Sequence, residues 1–188
     1  MPGILYKKSS IESLIKNAQN GNSKALEELL RRIQNQIFAM FYHLVDEKED
    51  VSDLTQEALL KIAKNIGKLN DSSNFKTWVN KLVTNTFYDY LKKNTKTYAE
   101  IDEDKLNEIK DSIGCEPGEK CLLNEIETLL KAALMTLPAI LRLPLILREY
   151  EGLSYNDISK ITNTALGTVK SRIARARLKL QQELKDFI

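Results

Sequence analysis

The sequence is poor in the side chains that do chemistry. Its 188 residues hold one histidine, His43, and two cysteines, Cys115 and Cys121. A metal centre or a nucleophile with its base therefore has few candidates. His43 sits in the apolar stretch FYHL with no cysteine or carboxylate grouping in view, as a core or surface histidine does. The cysteines are separated by five residues in a polar segment, a spacing that fits no zinc or redox motif, and free cytosolic thiols are expected. There are only seven glycines, and no glycine-rich phosphate loop among them. No run approaches the ~18 apolar residues of a spanning helix, and the segment MPGILYKKSS lacks the apolar stretch of a secretory signal. These absences predict a cytoplasmic protein that is not an enzyme, binds no metal or cofactor and does not insert in a membrane.

What is there is ordinary in bulk and uneven in distribution. Hydrophobic residues make up 43% and charged residues 29%, as in a soluble globular chain. The length allows one large domain or two small ones. Net charge is only +2, yet residues 1–96 carry +4, residues 97–127 carry −7 and residues 128–188 carry +5. Two basic blocks flank an acidic one, which speaks of partners more than of fold.

Apolar residues recur at three- and four-residue spacing almost throughout, without strict alternation, so the chain is expected to be all-α. Ser9 and Ser10, with Glu12 three residues past Ser9, predict a capped first helix ending near Gly21. A second helix is expected from about Ser23, burying Leu26, Leu29, Leu30, Ile33, Ile37, Met40, Phe41 and Leu44, until the charged stretch Asp46 to Asp50 breaks it. A third should run from about Ser52 to Leu69 and a fourth from about Phe75 to Lys93, with the loop NDSSN between them. Residues 94 to about 118 lose the pattern and contain Gly114, Pro117 and Gly118, as a flexible acidic linker does. Periodicity resumes at about Glu119 and runs to Thr136. Pro138 opens a further helix ending at Gly152, Ser154 caps a short helix to Thr162, and a last helix spans about Leu166 to Leu184. Two small helical domains, 1–96 and 128–188, are therefore expected on either side of a linker, 97–127.

The strongest local signal is LSYNDISKITNTALGTVKSRIARARLKL, a short helix, a tight turn and a longer basic helix, the arrangement of a helix-turn-helix. Leu166, Val169, Ile173, Ala176, Leu180 and Leu184 fall on one side of the second helix, for packing. Thr168, Ser171, Ala174 and Arg175 lie opposite, bordered by Lys170 and Arg172. Small side chains that allow close approach thus alternate with cations that reach phosphates or guanine edges. Five cations and no acid stand between Leu166 and Leu180, which favours DNA over a merely solvated face.

Two further segments are less decisive by themselves. In FKTWVNKLVTNTFYDYLKKNTK, the residues Phe75, Trp78, Val79, Leu82, Val83 and Tyr90 form an apolar stripe, with Trp78 read as core. Thr77, Lys81, Thr84, Asn85, Tyr88 and Lys92 share the other face, and such cations, amides and aromatic rings can hold unpaired bases. Composition does not separate that reading from a plain amphipathic helix. In VSDLTQEALLKIAKNIGKL, Val51, Leu54, Ala58, Ile62, Ile66 and Leu69 define the buried side. Asp53, Gln56, Glu57, Leu60 and Lys64 lie together outside, either as a protein docking surface or as an unremarkable solvated face.

Taken together, these segments closely resemble the sigma factors of the extracytoplasmic-function group. NGNSKALEELLRRI, DLTQEALLKI and FKTWVNKLVTNTFYDYLKK resemble successive parts of sigma region two. LPAILRLPLILREYEGLSYNDISKITNTALGTVKSRIARARLKL resembles region four, with GTVKSRIARAR especially typical. The resemblance implies that Asp53, Gln56, Glu57 and the exposed Leu60 dock on the clamp helices of the largest subunit of core RNA polymerase. It implies that Asn85, with Lys81, Thr84, Tyr88 and Lys92 and with Asn70, Asp71 and Ser72 of the loop, captures an extruded base of the minus-10 element. Region four would place Thr168, Lys170, Ser171, Arg172, Ala174 and Arg175 at the minus-35 element while holding the flap of the second-largest subunit. The acidic linker would thread into the polymerase channels. With no further sensory domain expected, regulation would fall to an anti-sigma factor that covers the polymerase-binding surfaces. The rival reading is a conventional helix-turn-helix regulator that binds duplex operators through residues 128–188, and the region-two motifs argue against it.

Overall fold

The computed structural model describes residues 6, 8–98 and 119–185, with side chains at 6, 8–94 and 126–185. Among these are eight α-helices and two 3-10 turns, with no strand. The helices are α1 (Ile11–Gln19), α2 (Ser23–Tyr42), α3 (Lys48–Asn65), α4 (Phe75–Tyr98), α5 (Glu119–Met135), α6 (Ala139–Glu149), α7 (Tyr155–Thr162) and α8 (Leu166–Leu184). Cys115, Gly114, Pro117, Gly118 and most of the segment read as an acidic linker lie outside the described residues. Helix α5 begins at Glu119, where periodicity resumes in the sequence.

In the N-terminal group α2 packs on α1 and α3, and α3 packs on α4. Leu14, Leu29, Ile37, Phe41, Val51, Ile62, Val83 and Phe87 meet in its core, each contributing roughly 1.5–3 kcal/mol of apolar burial. Helix starts follow from local side-chain chemistry. The Oγ of Ser10, not Ser9, accepts from the backbone N–H of Ser13 and caps α1. Asn22 Oδ1 accepts from Ala25 and caps α2. Gly21, at φ +85, makes the reversal between them, a conformation that side chains disfavour.

The stretch Asp46 to Asp50, expected to be a pure break, instead supplies the first turn of α3. Glu49 and Asp50 lie there because an N-terminal turn welcomes carboxylates. The third helix thus starts about a turn earlier than its apolar pattern. The NDSSN segment is also less irregular than expected, since Ser72–Asn74 forms a 3-10 turn leading directly into α4.

In the C-terminal group α6 packs on α7 and α8, and α5 also touches α8. Every residue from Leu141 to Leu147 is buried. Pro144 stands inside α6. Its missing N–H cannot donate to the carbonyl of Ile140 one turn earlier. Ser154 caps α7, and Asn163 ends it in the left-handed conformation (φ 50, ψ 46), which makes the tight turn into α8. Asn tolerates that region better than most side chains. No helix among the described residues is long and apolar enough to cross a membrane.

Candidate functional site

The outer face of α3 is set by what lies beneath it. Val51, Leu54, Ala58 and Ile62 are buried, which turns Asp53 and Gln56 into solvent and leaves Leu60 59% exposed. Glu57 is half-buried and pairs at 2.8 Å with Lys61. Lys61 Nζ also donates to Thr86 Oγ1 at 3.1 Å and Asp89 Oδ2 at 3.2 Å on α4. Burial pulls the Lys61 ammonium down, but its hydrogen bonds to Glu57 and Asp89 outweigh that and raise its pKa. The acidic edge of the α3 face is thereby oriented from α4.

The loop before α4 is held from two sides. Gln19 Nε2 donates to Ile66 O at 3.0 Å and Leu69 O at 2.7 Å, tying the end of α1 to the start of the loop. Asp71 accepts from the backbone N–H of Ser73 at 2.9 Å, from Ser73 Oγ at 2.6 Å and from Asn74 Nδ2 at 3.0 Å. The Ser73 hydroxyl and backbone bonds hold the Asp71 carboxyl below its usual range. Asp71 is therefore committed to shaping the loop. Asn70 is exposed and Ser72 half-exposed.

Helix α4 departs most from expectation. Phe75, Val79, Val83 and Phe87 form its buried row. Phe87 was not in the expected stripe, whereas Tyr90 is half-buried with its hydroxyl donating to Asp50 at 2.7 Å. Trp78 is half-buried against this core, its ring stacked on Phe75. A second buried row adjoins the first. Asn80 is buried, and Thr84, expected on the open polar face, is 0% exposed, with no hydrogen-bond partner for its Oγ1. Its neighbours explain this, because α4 packs on α7 as well as on α3. Lys81, Asn85 and Lys92 remain exposed, and Tyr88 is half-buried.

On α8, Val169, Ile173 and Ala176 are buried, while Leu180 and Leu184 are half-buried. Leu166, expected in that row, stands 37% exposed at the start of the helix. Lys170, Ser171, Ala174 and Arg175 face solvent, and Thr168 and Arg172 are half-buried. Ser171 Oγ donates to Thr168 O at 3.0 Å, and Arg172 reaches Thr164 Oγ1 at 3.4 Å. Arg177 is engaged by Glu149. Among the described residues no ion pair is recorded for Lys170 or Arg175, so both cations are available to phosphate or base edges.

This geometry offers an open basic helix, a polar helix with a shaped loop, and an acidic face around an exposed leucine. Comparison with known proteins matches the same stretches of chain. The sequence model for sigma-70 region 2 matches residues 29–97, and that for sigma-70 region 4 matches residues 127–180. The RNA polymerase sigma-H factor of Pseudomonas aeruginosa is 31% identical over 188 residues, 94% of this chain and 95% of that protein. The ECF RNA polymerase sigma-E factor of Escherichia coli K12 is 30% identical over 93% of this chain and 94% of its own length. This chain belongs to the extracytoplasmic-function sigma factors. Among solved structures, the sigma factor RpoE of Bartonella quintana, in complex with the anti-sigma factor NepR, superposes with TM-score 0.66. It is 28% identical, covering 86% of this chain and 98% of that one. CnrH, solved with the cytosolic domain of CnrY, shares the fold at TM-score 0.63 and 18% identity, over 92% of this chain and 96% of that one.

A sigma factor directs RNA polymerase to specific promoters and catalyses nothing itself. Helices α3 and α4 of this sigma factor lie in region 2, and α6 to α8 in region 4. Three contributors to its surfaces were missed in the sequence. Gln19, Asn80 and Glu151 carry no motif. Their roles come from partners far away in the chain.

Proposed function

We propose that residues 1–96 hold polymerase and the melted strand, that residues 97–127 link the domains, and that residues 128–188 read the minus-35 element. On α3, Asp53, Gln56, Glu57 and Leu60 dock on the clamp helices of the largest polymerase subunit. An exposed leucine ringed by acid and amide groups gives such a contact both an apolar anchor and a polar rim. Asn85 captures a base extruded from the minus-10 element, flanked by Lys81, Thr84, Tyr88 and Lys92 and by Asn70 and Ser72, with Asp71 acting by shaping the loop. Thr168, Lys170, Ser171, Arg172, Ala174 and Arg175 enter the major groove at minus-35, and region 4 also holds the flap of the second-largest subunit. Such a factor works in the cytoplasm, with polymerase and chromosome. The complex of the similar RpoE with NepR supports an anti-sigma factor as its regulator.

The observation that carries this reading is the rotation of α8. Burial of Val169, Ile173 and Ala176 fixes which way the helix faces, and that leaves Lys170, Ser171, Ala174 and Arg175 pointing outward together. The test is transcription from a pool of random promoter fragments by sigma-free core polymerase, with sequencing of the transcript starts. The wild-type protein should create new starts that share two spaced upstream elements, and Leu60→Asp should abolish them by preventing core binding. Undiminished transcription by Leu60→Asp would remove α3 from the docking surface.

A further inference from the structure

Helix α1 is held at both ends through backbone carbonyls. At its start, Arg32 of α2 donates to Ser9 O at 2.6 Å and to Tyr6 O at 2.8 Å. Arg32 is itself aimed by the buried Glu28 carboxylate, which accepts from its Nε at 2.8 Å. At the other end, Gln19 Nε2 donates to Ile66 O at 3.0 Å and to Leu69 O at 2.7 Å. Between these anchors Leu14, Ile15 and Ala18 are buried, which fixes the rotation of the helix. A braced element thus presents Gln19 to the loop before α4, although the residue itself is exposed.

Ile66 O also accepts from the backbone N–H of Leu69 at 3.2 Å, within the 3-10 turn. For Leu69 O, the Gln19 amide is the one recorded donor among the described residues. A peptide bond is planar, so a carbonyl held in place also fixes the amide beyond it. The grip on Leu69 O therefore sets the plane from which Asn70 departs. At the far side of the loop, the backbone N–H of Ser73 donates to Asp71 Oδ1 at 2.9 Å, which sets the plane that follows Ser72. Asn70, exposed, and Ser72, half-exposed, stand between these two fixed planes. Asp71 makes its hold from within the loop, whereas Gln19 makes the other from 50 positions away in the chain.

We propose that Gln19 is a positioning residue for base selection at the minus-10 element, acting through the backbone from which Asn70 and Ser72 project. This role rests on the reading of that loop as the receiver of an extruded base. Hydrogen bonds to a base edge weaken steeply as distance and angle depart from ideal. A loop released at Leu69 presents Asn70 in several poses and so discriminates less between bases. Base choice then depends on α1, an element outside both the loop and α4.

Gln19→Met keeps the length of the side chain and removes both donors, at an exposed site that leaves the buried face of α1 intact. The full-length protein is added to sigma-free core polymerase on a promoter pool with both upstream elements randomised, and the templates transcribed are sequenced. Gln19→Met should cut the preference for the favoured base at one minus-10 position by about fivefold, the ratio that one ordinary hydrogen bond commands. The minus-35 preference should stay as in wild type. Misfolding would lower the number of transcripts without altering the base distribution among them. In the free protein, without DNA, the amide NMR signals of Asn70 and Ser72 should shift and broaden. Asn70→Ala combined with Ser72→Ala, read in the same pool, tests the loop itself. If that pair relaxes the minus-10 position and Gln19→Met does not, the role of Gln19 is overturned and the reading of the loop stands. If neither relaxes it, the loop does not choose the base and the role of Gln19 falls with it. A relaxed preference with undisturbed amide signals would overturn positioning and make Gln19 a direct contact.

Discussion

Helices α4 and α8 are the two proposed readers of promoter DNA, and they are built in opposite ways. Helix α8 fully buries one row, Val169, Ile173 and Ala176, half-buries Thr168, Arg172 and Leu180, and turns Lys170, Ser171, Ala174 and Arg175 to solvent. Helix α4 buries two adjoining rows, one of apolar residues and one containing Asn80 and Thr84, because α3 and α7 press on it from different sides. A reader of intact duplex needs only an exposed basic face. The helix proposed to hold unpaired bases shares a face with a protein neighbour, since Asn80 donates to Glu151 and Thr84 is fully buried.

The largest expected effect tests the deeper burial of α4. Phe87 is fully buried, and Phe87→Ala should destabilise region 2 by about 3–5 kcal/mol in urea unfolding followed by circular dichroism. A loss below ~1 kcal/mol would mean that α4 is no more embedded than a surface helix.

The next contrast separates the two modes of reading. Arg175→Ala should weaken discrimination at minus-35 by ~1 to 3 kcal/mol while leaving strand opening intact. Asn85→Ala should slow strand opening more than it weakens the closed complex, as followed by permanganate footprinting beside gel-shift titration. An unchanged sequence preference would remove Arg175 from base contact. Equal loss in both steps would remove Asn85 from the unpaired-base role.

The smallest effect concerns pH at the seam between the regions. His43 is buried beside Tyr42, Tyr150, Glu127 and Lys131. Burial, aided by the Lys131 charge and opposed by Glu127, lowers its pKa below the ordinary imidazole value. The unfolded chain therefore takes up a proton more readily. Stability should be steady above pH ~6.5 and decline as pH falls below it. His43→Phe keeps a ring against Tyr150 and should flatten that part of the profile in thermal melts. An unaltered slope would show that other groups set it.

Much of this architecture was legible in the sequence because helices announce themselves locally. Apolar spacing, Ser154 as a cap and the turn at Asn163 are properties of neighbouring residues, and both ends of α8 were readable although Leu166 was placed in its buried row. The start of α3 was missed because its first turn is charged, and a charged first turn resembles a loop. The polar row of α4 was misread for a different reason. Thr84 looks like a solvent residue on a helical wheel, and nothing within α4 tells that a second helix covers it.

The sequence by itself determined an all-α chain, the order of its helices, its family and the outward chemistry of α8, since each follows from side chains within a few turns of one another. Tertiary structure alone decided that Glu151 is buried rather than solvated, that Gln19 shapes the loop before α4, and that Thr84 is hidden. The hydrogen bonds of Glu151 and Gln19 join residues 47 to 115 positions apart. Such pairings are set by which faces meet when helices pack, and local periodicity carries no trace of them.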